Sequence, residues 1–480
     1  MSINTGTNGS IENKNVNPIS RSVLVDLEIE YGPPSYGEDK PILNENFWAG
    51  AYVAMQDGIL FEPREKQFYL YNSANGLFEL ISQDALKVRV SKLILCESPE
   101  ELARQRSNAK LSAIVSMMKG QIEEPEAFAK KKNVLHLANT MLVWNGEKFE
   151  QQDFSPAFRG RNASPFHYDP DAKCDMFKEK LMGHLPEEDR QLMQLFAGQC
   201  LIGRNLLQAM LLLIGEGGSS KSAFVQTIQG VIGRSNCREL RVDALAGRFE
   251  IGCCIGKTVL IGSDVDENFF KSDGAKKLKA MVGGDPLEAE IKGSSAQMTV
   301  DGDFNVIVTS NSLPSIEFQG NGDISAWIRR LAIVMYETPF KGERINNIHE
   351  LLLDREGPGI LNWCVQGAEI LLRQSGKLAL TDNQKQRIDN VVNQSEAISL
   401  FVDECITDEV QPNHGLTTEE LYDGYLIYCE EKQWRPIGDK EFRMKLAPIM
   451  FDAFQVKPSH NVTRGTSVQR GYRGVCFDNR

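Results

Sequence analysis

Residues 215–222 read GEGGSSKS and directly follow the apolar run 211–214. A buried strand, a turn of small residues and a Lys-Ser pair opening a helix form the arrangement of a phosphate-binding loop. Small residues let backbone N–H groups surround phosphate oxygens. Lys221 can reach the β- and γ-phosphates, the Ser222 hydroxyl can hold Mg²⁺, and a helix over 222–232 offers its positive end to the anion. The predicted ATP-binding residues are Gly215, Glu216, Gly217, Gly218, Ser219, Ser220, Lys221 and Ser222.

Ser220 departs from the loop pattern G-x-x-x-x-G-K-[ST], which has glycine at that position. A side chain there crowds the nucleotide if the backbone requires a positive φ. Taken alone, the segment also allows the interpretation of a Gly/Ser turn with an accidental lysine. The loop therefore needs partner residues elsewhere in the chain.

Polar groups follow three later apolar segments. Asp264 and Asp266 end the segment 259–266, and such carboxylates orient the Mg²⁺ water shell and polarise an attacking water. Asn311 follows 305–309 and can sense the γ-phosphate, whereas Arg329 and Arg330 precede a strand and can act on a neighbouring subunit as an arginine finger. Each has a plain alternative: a solvated strand end, a turn asparagine or surface arginines. The predicted catalytic residues are Lys221, Asp264, Asp266, Asn311, Arg329 and Arg330, with Ser222 and Asp264 at the metal.

Lys292 lies near the tip of a predicted hairpin between the acids and Asn311. The hairpin follows the turn Gly283-Gly284-Asp285-Pro286. A lysine on a projecting loop can contact a nucleic-acid phosphate. A solvated hairpin tip is the alternative.

Apolar strands alternating with helices predict an α/β fold whose sheet is covered on both faces. The predicted strands are 211–214, 257–262, 304–309 and 333–336, and the helices between them include 222–232 and 275–282. Upstream, helices are expected over 99–119, 173–182 and 187–202. The predicted division is a disordered or extended tail (1–40), an N-terminal α+β domain (41–190), the α/β core (191–342), a helical lid and linker (343–395) and a C-terminal unit (396–480).

The composition of the chain is compatible with this interpretation. The 480 residues are 41% apolar and 25% charged, as in soluble globular proteins. No apolar run is long enough to span a membrane and the N-terminus is polar, so neither a membrane partner nor a signal peptide is predicted. The 10 cysteines form no C-x-x-C pair, which argues against zinc and fits a cytoplasmic location. The net charge of −12 disfavours wrapping of nucleic acid by the whole surface.

The C-terminal segment 434–480 has the opposite charge balance, with 9 Lys/Arg against 4 acids. Such asymmetry indicates an anionic partner for that end. Two predicted helices, 416–429 and 438–446, followed by a hairpin over 465–477 suggest a winged helix, which reads DNA through phosphate contacts and a groove-inserted helix. A winged helix that binds protein or only packs is the alternative. The predicted DNA-binding residues are Lys292, Lys440, Arg443, Lys445, Arg464, Arg470 and Arg473.

These motifs, in this order, resemble the superfamily 3 helicases, and most of all the helicase part of poxvirus- and phage-type primase–helicases. The resemblance covers roughly residues 130–480. It rests on GEGGSSKS, SDVD, LKAMVGGDP, TSNSLP, WIRR, the lid-like segment EGPGILNW at 356–363 and YDPDA at 168–172.

The resemblance implies an AAA+ P-loop ATPase core that assembles into a homo-oligomeric ring, usually a hexamer, around single- or double-stranded DNA. It implies ATP and Mg²⁺ as cofactors, phosphate and Mg²⁺ at Lys221 and Ser222, an acidic pair Asp264 and Asp266, and Asn311 as sensor. Arg329 or Arg330 becomes the finger, and Lys292 grips DNA. Only about 170 structured residues precede the motor, so no priming activity is expected, and a separate primase or polymerase is a possible partner.

Two departures from the family bear on turnover. Relatives have Asn-Gly-Lys where this chain has Ser219-Ser220-Lys221, and often Glu where it has Asp, so water activation could fall to Asp266 or Glu267. The expected function is an ATP-dependent replicative helicase or initiator of a phage, plasmid or other mobile element. One alternative is a nucleotide-gated DNA-binding scaffold with weak or no hydrolysis. A phosphotransferase is another, against which the hairpin, the paired arginines and the basic tail argue.

Overall fold

The structure is a computed structural model that describes residues 19–37, 39–129, 133–266, 268–290, 297–318, 321–337, 345–409 and 414–478. Within these ranges the apolar side chains form separate cores for the N-terminal part and the C-terminal part. Two further cores cover the two faces of a central parallel sheet.

The N-terminal part is a small α+β unit. Its elements are α1 (Arg21–Tyr31), β1 (Ser35–Tyr36), β2 (Ile42–Leu43), α2 (Glu45–Ala54), β3 (Ile59–Glu62), β4 (Gln67–Asn72), β5 (Leu77–Ile81), α3 (Gln83–Glu97), α4 (Glu100–Ala103) and α5 (Asn108–Gln121). Strands β3, β4 and β5 form an antiparallel sheet. Leu27 of α1 is buried in the same core as Trp48 and Ile114, so the predicted tail over 1–40 includes a packed helix. The helix expected over 99–119 is interrupted, because Ser107 caps a new helix.

The next segment belongs to the central core. It contains the antiparallel strands β6 (Val134–His136), β7 (Met141–Trp144) and β8 (Phe149–Gln152), then α6 (Asp175–Phe177), a π-helical turn at Lys178–Met182, and α7 (Glu187–Ile202). Leu142 and Phe196 share a core with the parallel sheet. The N-terminal core therefore ends before this segment, and the predicted domain boundary at residue 190 lies too late in the chain.

A five-stranded parallel sheet forms the centre of the fold. In chain order this part contains β9 (Met210–Gly215), α8 (Lys221–Ile232), β10 (Cys237–Glu239), α9 (Val242–Leu245), β11 (Val259–Val265), α10 (Gly274–Gly283), β12 (Pro286–Glu290), β13 (Gln297–Asp301), β14 (Asn305–Ser310), α11 (Asn321–Ile328) and β15 (Leu331–Tyr336). The strand order is β10-β11-β14-β9-β15, and all neighbours are parallel. Strands β12 and β13 pair as the predicted hairpin. Its expected tip, with Lys292, lies outside the described residues.

Alternate side chains of β9 enter different cores. Leu211 and Leu213 pack with Phe224 of α8 on one face, whereas Leu212 packs with Trp327 of α11 on the other. Burial on both faces explains why the strand reads as a continuous apolar run. The described part of the chain is thus mixed α/β, with apolar cores on both faces of the five-stranded parallel sheet.

A long helix and a smaller unit complete the chain. The elements are α12 (Ile348–Arg373), α13 (Asp382–Ser395), α14 (Ala397–Cys405), β16 (Ile406–Asp408), β17 (Gly415–Thr417), α15 (Thr418–Glu431), α16 (Asp439–Phe454), β18 (Ser459–Arg464), β19 (Ser467–Arg473) and β20 (Val475–Phe477). The predicted linker before residue 395 is largely α13, which starts at a Thr381 capping box. Ile388 and Val391 bury its narrow apolar stripe against the sheet. In the C-terminal unit, β17, β19 and β18 form one sheet beside α15 and α16.

Candidate nucleotide-binding site

The order of the strands creates a crevice between β9 and β14. The chain leaves β9 through α8 toward β10 on one side, and leaves β14 through α11 toward β15 on the other. In open parallel sheets, ligands bind outside the carboxyl ends of strands at such a switch point. The loop 215–222 follows β9 and Asn311 follows β14, so the predicted loop and its predicted partner both lie at this crevice.

The loop backbone depends on left-handed conformations. Gly218 has φ +83°, and Ser220, the last residue before α8, has φ +74°. Glycine adopts such angles freely, whereas for other residues they cost about 1–2 kcal/mol. The serine therefore stands where the loop requires the conformation of glycine. Gly215 has no room for a side chain, because a Cβ there would lie 2.7 Å from the Tyr336 carbonyl oxygen.

Lys221 is folded onto its own loop. Its ammonium donates to the carbonyls of Gly215 and Glu216, the latter at 2.9 Å, and to Ser219 Oγ at 3.1 Å. The side chain is only 6% exposed. Burial lowers the pKa of Lys221, while the nearby Asp264 carboxylate works in the opposite direction. A phosphate would offer this lysine a charged acceptor in place of neutral carbonyls.

Asn311 links Lys221 to Asp264. Its Oδ1 accepts from the Lys221 ammonium at 3.3 Å, and its Nδ2 donates to Asp264 Oδ1 at 2.7 Å. Three residues that are 43 or more positions apart in the sequence are thus joined in one hydrogen-bonded chain. This contact brings together the lysine, the sensor and one predicted acid.

A bulge in β11 directs Asp264. The register of β11 against β14 shifts between Gly262 and Val265, and Asp264 has φ +49°. Its backbone N–H donates to Thr309 Oγ1 at 2.8 Å instead of to a strand carbonyl. Bulges re-aim side chains and are common beside functional sites. Here the bulge places the carboxylate beside Asn311.

A cavity of about 540 Å³ opens at this edge. That volume is typical of small-molecule sites. Its lining combines the predicted residues Gly217, Gly218, Ser219, Ser220, Lys221, Ser222, Asp264 and Asn311 with unpredicted ones, namely Lys180, Ala223, Gln226, Thr309 and the segment Ile345–His349. Ser222 is exposed on the first turn of α8, as a hydroxyl that holds a metal ion must be.

The residues present fit a nucleotide and Mg²⁺. The loop amides, Lys221 and the start of α8 suit phosphates, and one carboxylate with one hydroxyl suits Mg²⁺, which is usually held by few protein ligands together with phosphates and water. Accordingly, the described part of the chain shows no group of three or more His, Cys, Asp or Glu side chains able to hold a metal unaided.

The second predicted acid occupies a different position. Asp266 accepts the backbone N–H of Asn268 at 2.7 Å within a turn, and it is absent from the described lining of the cavity. Glu267, the other candidate, lies outside the described residues. Of the two described acids, the structure brings Asp264 to Asn311.

The two predicted finger arginines differ in exposure. Arg330 is 5% exposed and donates to the carbonyls of Lys279 and Ala326, both at 3.0 Å. Burial lowers the pKa of Arg330, with the neighbouring Arg329 adding to the effect. Its guanidinium is thus engaged within its own subunit. Arg329 is exposed.

Arg329 lies far from its own cavity. It precedes β15, and the Arg330 carbonyl accepts from Met210 at the beginning of β9, whereas the loop follows the end of β9. The six residues of β15 span about 20 Å at roughly 3.3 Å each. Arg329 can therefore serve a phosphate site only in another copy of the chain.

His184 was missed by the sequence analysis. Its ring lies close to the backbone of Ser219 and 5.5 Å from the ring of Tyr336. Burial lowers the pKa of His184 and the Ser219 contact partly offsets this. Neither spacing nor residue type signals this contact, because it arises from the π turn that precedes the histidine.

The predicted DNA-binding residues of α16 are only partly available. Lys440 is exposed. Arg443 donates to Asp439 at 2.7 Å and to Thr418 Oγ1 at 3.0 Å, and Lys445 pairs with Glu441 at 3.1 Å. Partly exposed pairs of this kind are weak and exchange readily for phosphate.

The predicted wing residues fall into two groups. Arg464 is held by both carboxylate oxygens of Glu420 at 2.6 Å and by the Gly415 carbonyl at 2.7 Å. Burial alone would raise the pKa of Glu420, but hydrogen bonds from Arg464 and Thr417 bring it below its ordinary value. Arg464 therefore ties the sheet to α15 through a pair whose side chains are both 37% exposed, and its DNA contact stays a prediction. Arg473 donates to the Asn461 carbonyl at 2.6 Å, and Arg470 is exposed.

Comparison with known proteins gives limited results. The model of a protein family of unknown function (DUF5906) matches residues 213–330, which include the loop, Asp264, Asn311 and the paired arginines. No curated protein matches. Solved structures of the NrS-1 C-terminal region are similar: an A-form apo structure has a TM-score of 0.45 and 12% identity over 89% of this chain and 98% of that one. A second apo structure (305–718) has a TM-score of 0.45 and 13% identity over 92% and 100%.

The described helices also bear on membrane association. No described helix combines the length and the apolar character that crossing a bilayer requires.

Proposed function

We propose that this chain is a ring-forming, ATP-dependent DNA helicase or replication initiator of a phage, plasmid or other mobile element, acting in the cytoplasm. The observation that supports this most is the hydrogen-bonded chain Lys221–Asn311–Asp264 beside a phosphate-type loop at the switch point of a parallel sheet. A packing role alone gives no reason for a buried ammonium to face an open cavity.

In this proposal the residues have separate tasks. The loop amides and the start of α8 bind the phosphates, and Lys221 exchanges its carbonyl contacts for phosphate oxygens. Ser222 and Asp264 would hold Mg²⁺, which supplies charge neutralisation of the phosphates. Asn311 senses the γ-phosphate, because a shift of its amide alters its contacts to Lys221 and Asp264 together.

The position of Arg329 supports the proposed assembly into a ring. Its position at the opposite end of the sheet allows it to complete only a neighbour's site, and stabilisation of transition-state charge by a guanidinium in trans is a recurrent device. The parallel sheet with α12 packed beside it is what an AAA+ core with a helical lid requires. Lys292 belongs to the segment that connects β12 and β13, outside the described residues, and is proposed to contact DNA. The order α14, β17, α15, α16, β18, β19 supports a winged helix.

Ser220 favours a second candidate, a nucleotide-gated DNA-binding scaffold with weak hydrolysis. Its φ of +74° strains the loop, and its side chain occupies the region that glycine leaves open for the nucleotide. Binding of nucleotide would then change the DNA affinity without efficient turnover.

ATP turnover with and without single-stranded DNA separates the two candidates. The wild-type chain and Lys221→Ala are compared, with Lys276→Ala, an exposed lysine of α10, as control. DNA-stimulated turnover and unwinding of a forked duplex that Lys221→Ala abolishes and Lys276→Ala preserves support the helicase. DNA binding that responds to ATP without turnover supports the scaffold. Failure of the wild-type chain to bind Mg-ATP or Mg-ADP would refute both.

A further inference from the structure

The segment 178–184 is held at both ends beside the loop. At its start, the backbone N–H groups of Met176 and Phe177 donate to the Glu356 carboxylate at 2.9 and 2.8 Å, which ties it to α12. At its end, the His184 ring lies close to the backbone of Ser219 in the loop itself. A π-helical turn occupies Lys178–Met182 between these anchors. Such turns are rare and are frequently found at functional sites.

Lys180 lies in this π turn and lines the same cavity as the loop. Its described partner is Glu179 at 2.7 Å, and the two side chains are 37% and 71% exposed. A pair this exposed contributes at most about 1 kcal/mol. The lysine can therefore leave Glu179 for a more highly charged acceptor at little cost.

The charges around the cavity favour a polyanion. Besides Lys180, the described lining includes the ammonium of Lys221, against one carboxylate, that of Asp264. Lys221 approaches from the loop side, whereas Lys180 approaches from the segment that precedes α7. Two ammonium groups on different walls suit a ligand with several phosphates better than one with a single phosphate.

We propose that Lys180 is a second cation for the polyphosphate of the bound nucleotide, supplied by the same chain that supplies Lys221. This inference rests on the proposed nucleotide-binding function and adds a residue that the loop motif does not contain. Because its anchors join α12 and the loop, Lys180 reaches the phosphates only while both hold the segment in place.

The test measures dissociation constants of the full-length chain for ATP, ADP and AMP with Mg²⁺ at fixed ionic strength. Lys180→Ala is expected to weaken ATP binding by about ten- to hundred-fold, as loss of a charge-assisted hydrogen bond does. ADP is expected to lose less and AMP almost nothing, and Lys180→Arg to restore most of the affinity. The control, Lys178→Ala, removes an exposed lysine of the same turn that is absent from the described cavity lining.

Three results would overturn the proposal, and they differ in what else they affect. Unchanged affinity in Lys180→Ala, with binding abolished in Lys221→Ala, rejects the role of Lys180 and leaves the proposed function intact. Equal losses for AMP and ATP place Lys180 at the base or ribose. No nucleotide binding by the wild-type chain rejects the proposed function as well. If Lys180→Ala unfolds, Lys180→Gln retains the side-chain stem and is expected to give the same ordering of losses.

Discussion

At the scale of single residues, Ser220 adopts a left-handed backbone conformation that the loop requires and that serine disfavours. The turn before α8 needs a left-handed residue so that the amides of the loop and helix converge. Glycine meets that need without strain, and serine does so at a cost. The loop is therefore less stable with serine at position 220 than it would be with glycine there.

We expect Ser220→Gly to raise the free energy of unfolding by about 1 kcal/mol, because glycine adopts φ +74° without the Cβ clash. Chemical denaturation followed by circular dichroism measures this. The same change should raise the rate of ATP turnover by opening space beside the nucleotide. Ser220→Ala is the matched control, since it keeps the Cβ and should give neither gain. A Ser220→Gly variant less stable than the wild type would contradict this view of the strain.

His184 gives the loop a dependence on pH. Burial holds its pKa below the ordinary 6.5, so the unfolded chain takes up a proton more readily than the folded one. Its contribution to stability is complete above about pH 6.5 and is lost as the pH falls toward the folded pKa. We expect the melting temperature of the wild type to fall more steeply between pH 7 and pH 5 than that of His184→Gln. Parallel curves would show that His184 does not titrate in this way.

At the scale of elements, the sequence predicts what depends on strong periodicity. The strands around β9 and β14, the helix α7 and the β12–β13 hairpin are found where the apolar patterns placed them. Helix α13 was interpreted as a linker because its buried stripe is narrow and its other positions are polar. The edge strand β10 has only three residues, too short for a pattern to appear.

The sequence predicts which residues belong to the site. The contacts between them depend on backbone geometry that no motif encodes. Asp264 reaches Asn311 through a bulge, and Lys180 reaches the cavity through a π turn; each is a change of one residue in the local period. Arg330 and Arg464 are long basic side chains whose donors are engaged by distant partners, the Lys279 carbonyl and the Glu420 carboxylate. Residue type alone could not distinguish them from the exposed Arg329 and Arg470.

The difference between Arg464 and Arg470 can be measured. We expect Arg464→Ala to destabilise the chain by about 1 kcal/mol, because a partly exposed bidentate pair is lost, with little direct effect on DNA affinity. Arg470→Ala should leave the melting temperature unchanged, weaken DNA binding about equally for all sequences and reduce the salt slope by about 1. Thermal denaturation and binding to duplex DNA at several salt concentrations test both. The reverse pattern would assign the phosphate contact to Arg464.

At the scale of the whole molecule, the proposed phosphate site and the proposed arginine finger lie at opposite ends of the strands of one chain. Lys221, Asn311 and Asp264 lie at the carboxyl ends of the strands, whereas Arg329 is exposed near their amino ends. A closed ring would bring these two ends of neighbouring copies together once per interface. A monomer would accordingly bind nucleotide and hydrolyse it slowly.

Complementation tests this arrangement. Lys221→Ala keeps the finger but loses phosphate binding, and Arg329→Ala keeps the binding site but loses the finger, so each alone should lack turnover. In an equal mixture, about a quarter of the interfaces should join an intact site to an intact finger and restore roughly that fraction of wild-type activity. Arg329→Ala mixed with the double variant Lys221→Ala/Arg329→Ala offers no such interface and should stay inactive. An inactive first mixture, with ring formation verified by light scattering, would mean that Arg329 does not complete a neighbour's site.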